Sequence, residues 1–219
     1  MRNMTINEFA EIVASESPVP GGGSIAALCG SLSAALAEMV ANLTVGKKKY
    51  ADSKEEMTDI INKASKLRDK LLNYIEEDSL AYNKVMEAYK LPKETEEEKS
   101  YRLIKIQEGL KIAASVPLKV AEISFEILPI AEAVVLRGNQ NSVTDALVAA
   151  MMARTGVLSA VLNIRINLDS IKDVEFVKDL KEKADFLEEE TNKYEKKILE
   201  LSPFKWYNVK QININCHFE

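Results

Sequence analysis

The sequence predicts an all-α protein, an up-and-down bundle of long helices around a central helix of small residues. Three observations carry this prediction. Helix-start signals, a Ser or Thr with Glu three residues later, recur along the chain. The apolar residues between them repeat with helical spacing, and Pro or Gly marks the breaks. No alternating run reads convincingly as a strand, and the sequence holds neither a fixed-period repeat nor a low-complexity segment.

The elements follow in order. Thr5 and Glu8 form a capping-box pattern ahead of EFAEIVA. SPVPGGGS (17–24) stops regular structure, and Ser24 is expected to cap a second helix that runs to about Gly46 or Tyr50. In that helix Ala26, Gly30 and Ala34 recur at spacing four, leaving a groove that lets a neighbour approach closely and calls for burial on several sides. Ser53 and Glu56 form a second box, opening a helix that continues to Tyr89 and stops before Pro92. Thr95 and Glu98 form a third, opening a helix toward Ser115. Pro117 suits the first turn of a fifth helix ending at Arg137–Gly138, and Pro129 inside it predicts a kink or a break. Ser142 is expected to cap the next helix, and a charged helix spans about Val174 to Leu201. Residues 1–201 thus read as one helical domain and 202–219 as an irregular tail in which Phe204 and Trp206 would dock on the bundle or on a partner subunit.

Composition narrows the function. Apolar residues make up 47% of the 219, enough for a sizeable core. The formal charge of -5, with both signs interspersed, gives no pull toward nucleic acid or an anionic membrane. Cys29 and Cys216 make no disulfide framework or zinc spacing, so a reducing cytoplasm is expected. His217 is the sole histidine, so Ser-His and Cys-His pairs and His-based metal sites are not expected, and acid–base work falls to carboxylates, lysines, tyrosines or the backbone. The N-terminus lacks a signal-peptide core. The apolar run 24–45 contains Glu38 and Asn42 and is mostly small residues, which fits a buried helix better than a membrane span.

Two features suggest a site. Pro20, Gly21, Gly22, Gly23 and Ser24 place three glycines at a helix start, where unpaired N–H groups and absent side chains let a ligand lie against the main chain. A tight turn with an ordinary cap explains the same residues, and neither a Walker loop nor a dinucleotide fingerprint is present. In the third helix, Asp78 falls on the apolar face of Ile60, Ala64, Leu67, Leu71 and Tyr74, about 20° from Leu67 and from Leu71 at 100° per residue. A carboxyl there loses water, so its pKa should rise and it could shuttle protons near neutrality; a structural Asp is the alternative. Glu76 and Glu77 point elsewhere as solvated charge. RGNQNSVTDA, with Asn139 and Asp145, reads as a helix corner or a polar rim; Asn163 and Asn167 lie one turn apart. Lys47 and Lys48 either complement a helix end or hold a carboxylate.

Together these stretches resemble the cyclodeaminase domain of formiminotransferase-cyclodeaminase and its free-standing bacterial relatives, some of them methenyltetrahydrofolate cyclohydrolases. The matching segments are PGGGS with the Ala-rich helix, MVANLTVGKKKY, the Asp78 helix ending MEAYKLPKETEEEK, IQEGLKIAASVPLKVAE, GNQNSVTDALVAA and NIRINLDSIKD, from about Phe9 to Asp173. The tail from Ser202 has no counterpart. The resemblance implies a helical subunit that forms a homodimer, with a folate site near the glycine turn. It implies Asp78 as the catalytic carboxylate. It further implies Pro20–Ser24, Lys47, Lys48, Asn139, Asp145, Asn163 and Asn167 as substrate contacts, the lysines toward the glutamate tail. The implied reaction is conversion of 5-formiminotetrahydrofolate to 5,10-methenyltetrahydrofolate with loss of ammonia. The alternatives are hydrolysis of 5,10-methenyltetrahydrofolate to the 10-formyl compound, or a non-catalytic folate-binding or scaffold dimer. Neither reaction calls for a metal or other cofactor. The sequence shows no formiminotransferase domain, so the expectation is that another enzyme supplies a formimino substrate or that the chain serves a folate interconversion pathway instead.

Overall fold

The structure, a computed structural model, describes residues 1 and 3–204. Among them are seven α-helices and no strand: α1 Ile6–Val13, α2 Gly22–Asn42, α3 Lys54–Lys90, α4 Glu96–Phe125, α5 Ile127–Arg137, α6 Val143–Leu168 and α7 Val174–Glu200. Short 3₁₀ turns at Lys48–Ser53 and Gln140–Ser142 lead into α3 and α6.

Contacts along the helices fix the topology. Ser24 meets Asp78 and Gly30 faces Leu71, so α2 and α3 are antiparallel. Gly22 faces Asn163 and the Ser33 hydroxyl donates to the Ala149 carbonyl at 2.6 Å, so α2 and α6 are antiparallel too. Gly109 packs on Val85, and Asn167 reaches Ala113, which sets α4 antiparallel to both α3 and α6. The four helices α2, α3, α4 and α6 thus form an up-and-down bundle, with α5 and α7 packed on α6 from outside. At the centre, a Cβ on Gly30 would stand 2.3 Å from the Ser124 hydroxyl and 3.0 Å from Leu71, and one on Gly156 would stand 3.1 Å from the Gly30 nitrogen. Backbones that close leave no room for side chains. Ala26 and Ala34 are fully buried on either side, which places the small-residue helix in the core. The windows of α2 and α6 apolar enough to cross a membrane are 56% and 50% buried inside this bundle, and Glu38 is ion-paired with Arg68 of α3.

The capping boxes at Thr5/Glu8 and Thr95/Glu98 form as expected. Three other serine caps do not. Gly21, not Ser24, is the N-cap of α2, because the Ser24 hydroxyl is drawn across to α3. Ser53 occupies the N-cap position of α3 without a side-chain bond, and its expected partner Glu56 is held by a two-pronged Arg137 contact at 2.6 and 2.5 Å. Ser142 precedes α6 without capping it; the Asn139 side chain instead accepts the Asn141 N–H. α2 ends at Asn42, earlier than Gly46, which adopts a left-handed φ of 84° in the turn that follows.

The prolines also differ from expectation. Pro129 does mark a break, with only Glu126 separating α4 from α5, but Pro117 lies inside α4 rather than opening a helix. A proline at 117 has no N–H for the carbonyl of Ala113. Asn167 repairs this: its amide donates to Ala113 O at 3.0 Å and to Asn163 O at 2.7 Å. Phe204 packs on the core as expected; Trp206 and the rest of the tail lie outside the described residues.

Asn167→Leu should therefore cost about 1–3 kcal/mol of stability by leaving that carbonyl unpaired. In a Pro117→Ala background, where a backbone N–H is restored, urea unfolding should show a smaller loss.

Candidate active site

The glycine turn and the third helix meet at one end of the bundle. Pro18 to Pro20, with a cis Val19–Pro20 bond, lead the chain into α2 across the face of α3. Gly21 has no side chain with which to cap α2, so the first N–H groups of the helix lack a local partner. Asp78 supplies one from another helix. Its carboxyl accepts from the Ser24 hydroxyl at 2.9 Å and from the Ser24 backbone N–H. The approach depends on Gly23: a Cβ there would lie 2.0 Å from Asp78 Oδ1 and 2.6 Å from its Cγ. That is inside any allowed contact, so the carboxyl occupies the space an alanine would need.

A cavity of about 390 Å³ opens over this contact, lined by the glycine turn, by Asp78, Tyr82, Met86 and Tyr89 of α3, and by Asn163, Ile166 and Asn167 of α6. Its walls are mostly apolar and aromatic, with the Asn163 and Asn167 amides, and among the described residues Asp78 is the only charged one that lines it. Burial pushes the Asp78 carboxyl above the usual aspartate range, and the two Ser24 bonds pull it back partway. A carboxyl whose pKa burial has raised can take up and return a proton more readily than an exposed aspartate. A helix start with free N–H groups beside it can donate hydrogen bonds to a heterocycle. Among the described residues no group of His, Cys, Asp and Glu is arranged to hold a metal ion.

The residues singled out in the sequence divide between the two ends of the molecule. Gly21, Gly22, Gly23, Asp78, Asn163 and Asn167 line the cavity together. Pro20 and Ser24 are buried behind it, and Ser24 faces Asp78 rather than the open space. The amide nitrogen of Asn163 donates to Ser159 O, and that of Asn167 to the two carbonyls named above. Lys47, Lys48, Asn139 and Asp145 stand at the opposite end. Because α2 and α6 are antiparallel, the start of α6 meets the end of α2. Asp145 is about 27 Å along α6 from Asn163 at 1.5 Å per residue. Asn139 there is buried, its N–H donates to Thr44 Oγ1 at 2.8 Å, and its side chain closes the corner. Lys47 and Lys48 are solvated. Tyr82, Met86, Tyr89 and Ile166 were not picked out as ligand contacts. The signal was available, since 82, 86 and 89 continue the face of α3 that carries Asp78.

Residues 5–186 match the family described as formiminotransferase-cyclodeaminase. A methenyltetrahydrofolate cyclohydrolase of Methylorubrum extorquens is 43% identical over 85% of this chain and 90% of that protein. A formimidoyltransferase-cyclodeaminase of Mus musculus is 36% identical over 77% of this chain, which spans 31% of that longer protein. Among solved structures, a formiminotetrahydrofolate cyclodeaminase from Thermotoga maritima superposes with a TM-score of 0.82 at 33% identity, covering 91% of this chain and 96% of that one.

The raised Asp78 carboxyl has a consequence for stability. Between the ordinary aspartate value and the raised one, the folded chain binds more proton than the unfolded chain, so stability falls as pH climbs through that window. Asp78→Asn, neutral throughout, should melt at a higher temperature than the parent at pH 7. Calorimetry should show the advantage gone by about pH 3, where the parent's carboxyl is neutral in both states.

Proposed function

The chain belongs to the formiminotransferase-cyclodeaminase family, whose members interconvert one-carbon units on folate, and from that premise we propose that Asp78 is its proton-transfer group. The chain is an enzyme of folate one-carbon interconversion, acting as a cyclodeaminase or a cyclohydrolase. The observation that carries the assignment is the Asp78 carboxyl itself, raised by burial, facing a cavity to which the described residues bring no cation, and pressed against Gly23.

In cyclodeamination, N10 of 5-formiminotetrahydrofolate attacks the formimino carbon. N10 gives up its proton. The former imine nitrogen takes up that proton and one more, carried by the formiminium form or drawn from solvent, and leaves as ammonia, and the 5,10-methenyltetrahydrofolate cation remains. The neutral form of Asp78 protonates the departing nitrogen, and its ionised form receives the N10 proton. In the hydrolytic reading, water adds to the cationic methenyl carbon with Asp78 as base. The bond to N5 then breaks to give the 10-formyl compound and a proton. The chain spans nearly all of both a cyclohydrolase and a cyclodeaminase, and the higher identity to the former, 43% against 33%, favours this second reaction. The glycine turn and the free N–H groups of α2 would seat the reacting ring, with Tyr82, Met86 and Tyr89 against its flat face. Neither route draws on a metal or a redox cofactor, and the cysteine usage supports a cytoplasmic setting.

We further infer a homodimer. Leu32, Met39 and Leu43 stand exposed along one face of α2, and Leu162 and Ile166 along α6. An apolar stripe of this length calls for a cover. Pairing the α2 stripe with itself about a two-fold axis near Leu32 sets the Lys47–Lys48 end of one copy beside the glycine-turn end of the other. In that arrangement the lysines reach toward the carboxylate tail of a folate in the neighbouring cavity.

Methenyl absorbance decides between the reactions: hydrolysis makes it fall faster than in buffer when the methenyl compound is supplied, and cyclodeamination makes it rise from the formimino compound. Asp78→Asn should lower the measured turnover about 100-fold or more; near-parental rates would remove Asp78 from the mechanism. Leu32→Glu should halve the sedimenting mass if α2 forms the dimer contact.

A further inference from the structure

The Ser24 hydroxyl carries one proton and has two acceptors in reach. Asp78 Oδ2 lies at 2.9 Å and the carbonyl oxygen of Ile75 at 3.0 Å. The Ser79 hydroxyl, 3.4 Å away, is a third neighbour that can donate to it. Ser24 is fully buried, so water does not compete for these bonds. Ile75 lies within α3, where its carbonyl already accepts the bond that the helix provides, so it is not stranded when Ser24 turns away.

We propose that Ser24 is a positioning residue whose hydroxyl turns between the Ile75 carbonyl and the Asp78 carboxyl as the latter gains and loses its proton. With Asp78 ionised, Ser24 donates to Oδ2, a charge-assisted bond stronger than the one to a neutral carbonyl. When the carboxyl takes a proton from the substrate, that attraction falls. The proton arrives on the carboxyl oxygen not held by Ser24, because Ser24 does not face the cavity. Ser24 then donates to Ile75 O, and its own oxygen is free to accept from the Ser79 hydroxyl. No buried donor is left over in either state, and only a hydroxyl rotor moves. The carboxyl therefore keeps its place against Gly23 throughout the proton cycle.

The surroundings isolate this pair. Among the described residues, no charged side chain but Asp78 lines the cavity, and the other titratable groups there are the Tyr82 and Tyr89 phenols of α3. Behind the pair, Met1 packs its sulfur on Ser79 and holds its amino group near Glu76. Ser24 is thus the polar side chain that tunes the acid. The backbone N–H of residue 24 survives any substitution, so the hydroxyl can be tested by itself.

The inference rests on Asp78 as the acid–base group, and the test separates the two. Protein labelled with ¹³C at aspartate carboxyls gives the Asp78 titration directly, assigned by its absence in Asp78→Asn, with no turnover involved. Ser24→Ala should move that titration up by roughly one pH unit, the size expected from one lost charge-assisted bond. The limb of the kcat–pH profile governed by Asp78 should move with it, and KM should stay within about twofold, because Ser24 does not line the cavity. Ser24→Cys, a weaker donor of similar volume, should shift both in the same direction by less. An unmoved titration in both variants, or a loss that falls on KM with the pH limb fixed, overturns the role of Ser24. Parental turnover in Asp78→Asn would overturn the assignment of Asp78 instead, while the titration still reports the Ser24 link.

Discussion

The contact between Gly23 and Asp78 is the constraint on which the rest depends. A carboxyl can cap the start of α2 from α3 only if the two helices approach until no Cβ fits between them. That approach fixes where α2 begins and buries Ser24 beside the acid. It also leaves the glycine turn as the roof of the cavity. The same requirement recurs halfway along α2, where Gly30 and Gly156 let three helices converge on Ser124. A bundle held this tightly is stiff where the acid sits, and a group that must exchange protons gains from a fixed location.

Much of this arrangement was legible in the chain. Helical periodicity put Asp78 on the buried face, and the triple glycine marked a backbone that something approaches. The two Thr–Glu boxes formed because nothing else competes for their exposed side chains. The serine caps failed for the opposite reason. The Ser24 hydroxyl and the Glu56 carboxylate find partners on other helices, Asp78 and Arg137, that lie 54 and 81 residues away. Pro117 reads as a helix start until Asn167 is known to be waiting for the freed carbonyl. Local signals lose to tertiary partners at these positions, and a single sequence does not show the partners.

The division of the predicted site into two ends has a similar origin. Asn139, Asp145, Asn163 and Asn167 sit on adjacent segments of sequence, yet a helix of 26 residues separates its ends by most of the bundle's length. An antiparallel bundle makes this foreseeable: whatever starts α2 must lie beside whatever ends α6. Asn163 and Asn167 accordingly meet the glycine turn, while Asn139 and the lysines do not. The polar corner at Asn139 and Thr44 is then a structural knot that joins α2 to α6.

The lack of a cation among the described cavity walls would also bear on how occupancy responds to the charge of what is bound. The methenyl form of the folate carries a positive charge on that unit, as does the protonated formimino form, whereas the 10-formyl compound lacks it. An ionised acid in an apolar cleft with no counterion of its own holds the cationic form longest. For hydrolysis this aids capture of the reactant and release of what is formed. For ring closure with ammonia loss, substrate and product would both be held as cations, so the same wall chemistry would not speed the exit of the product.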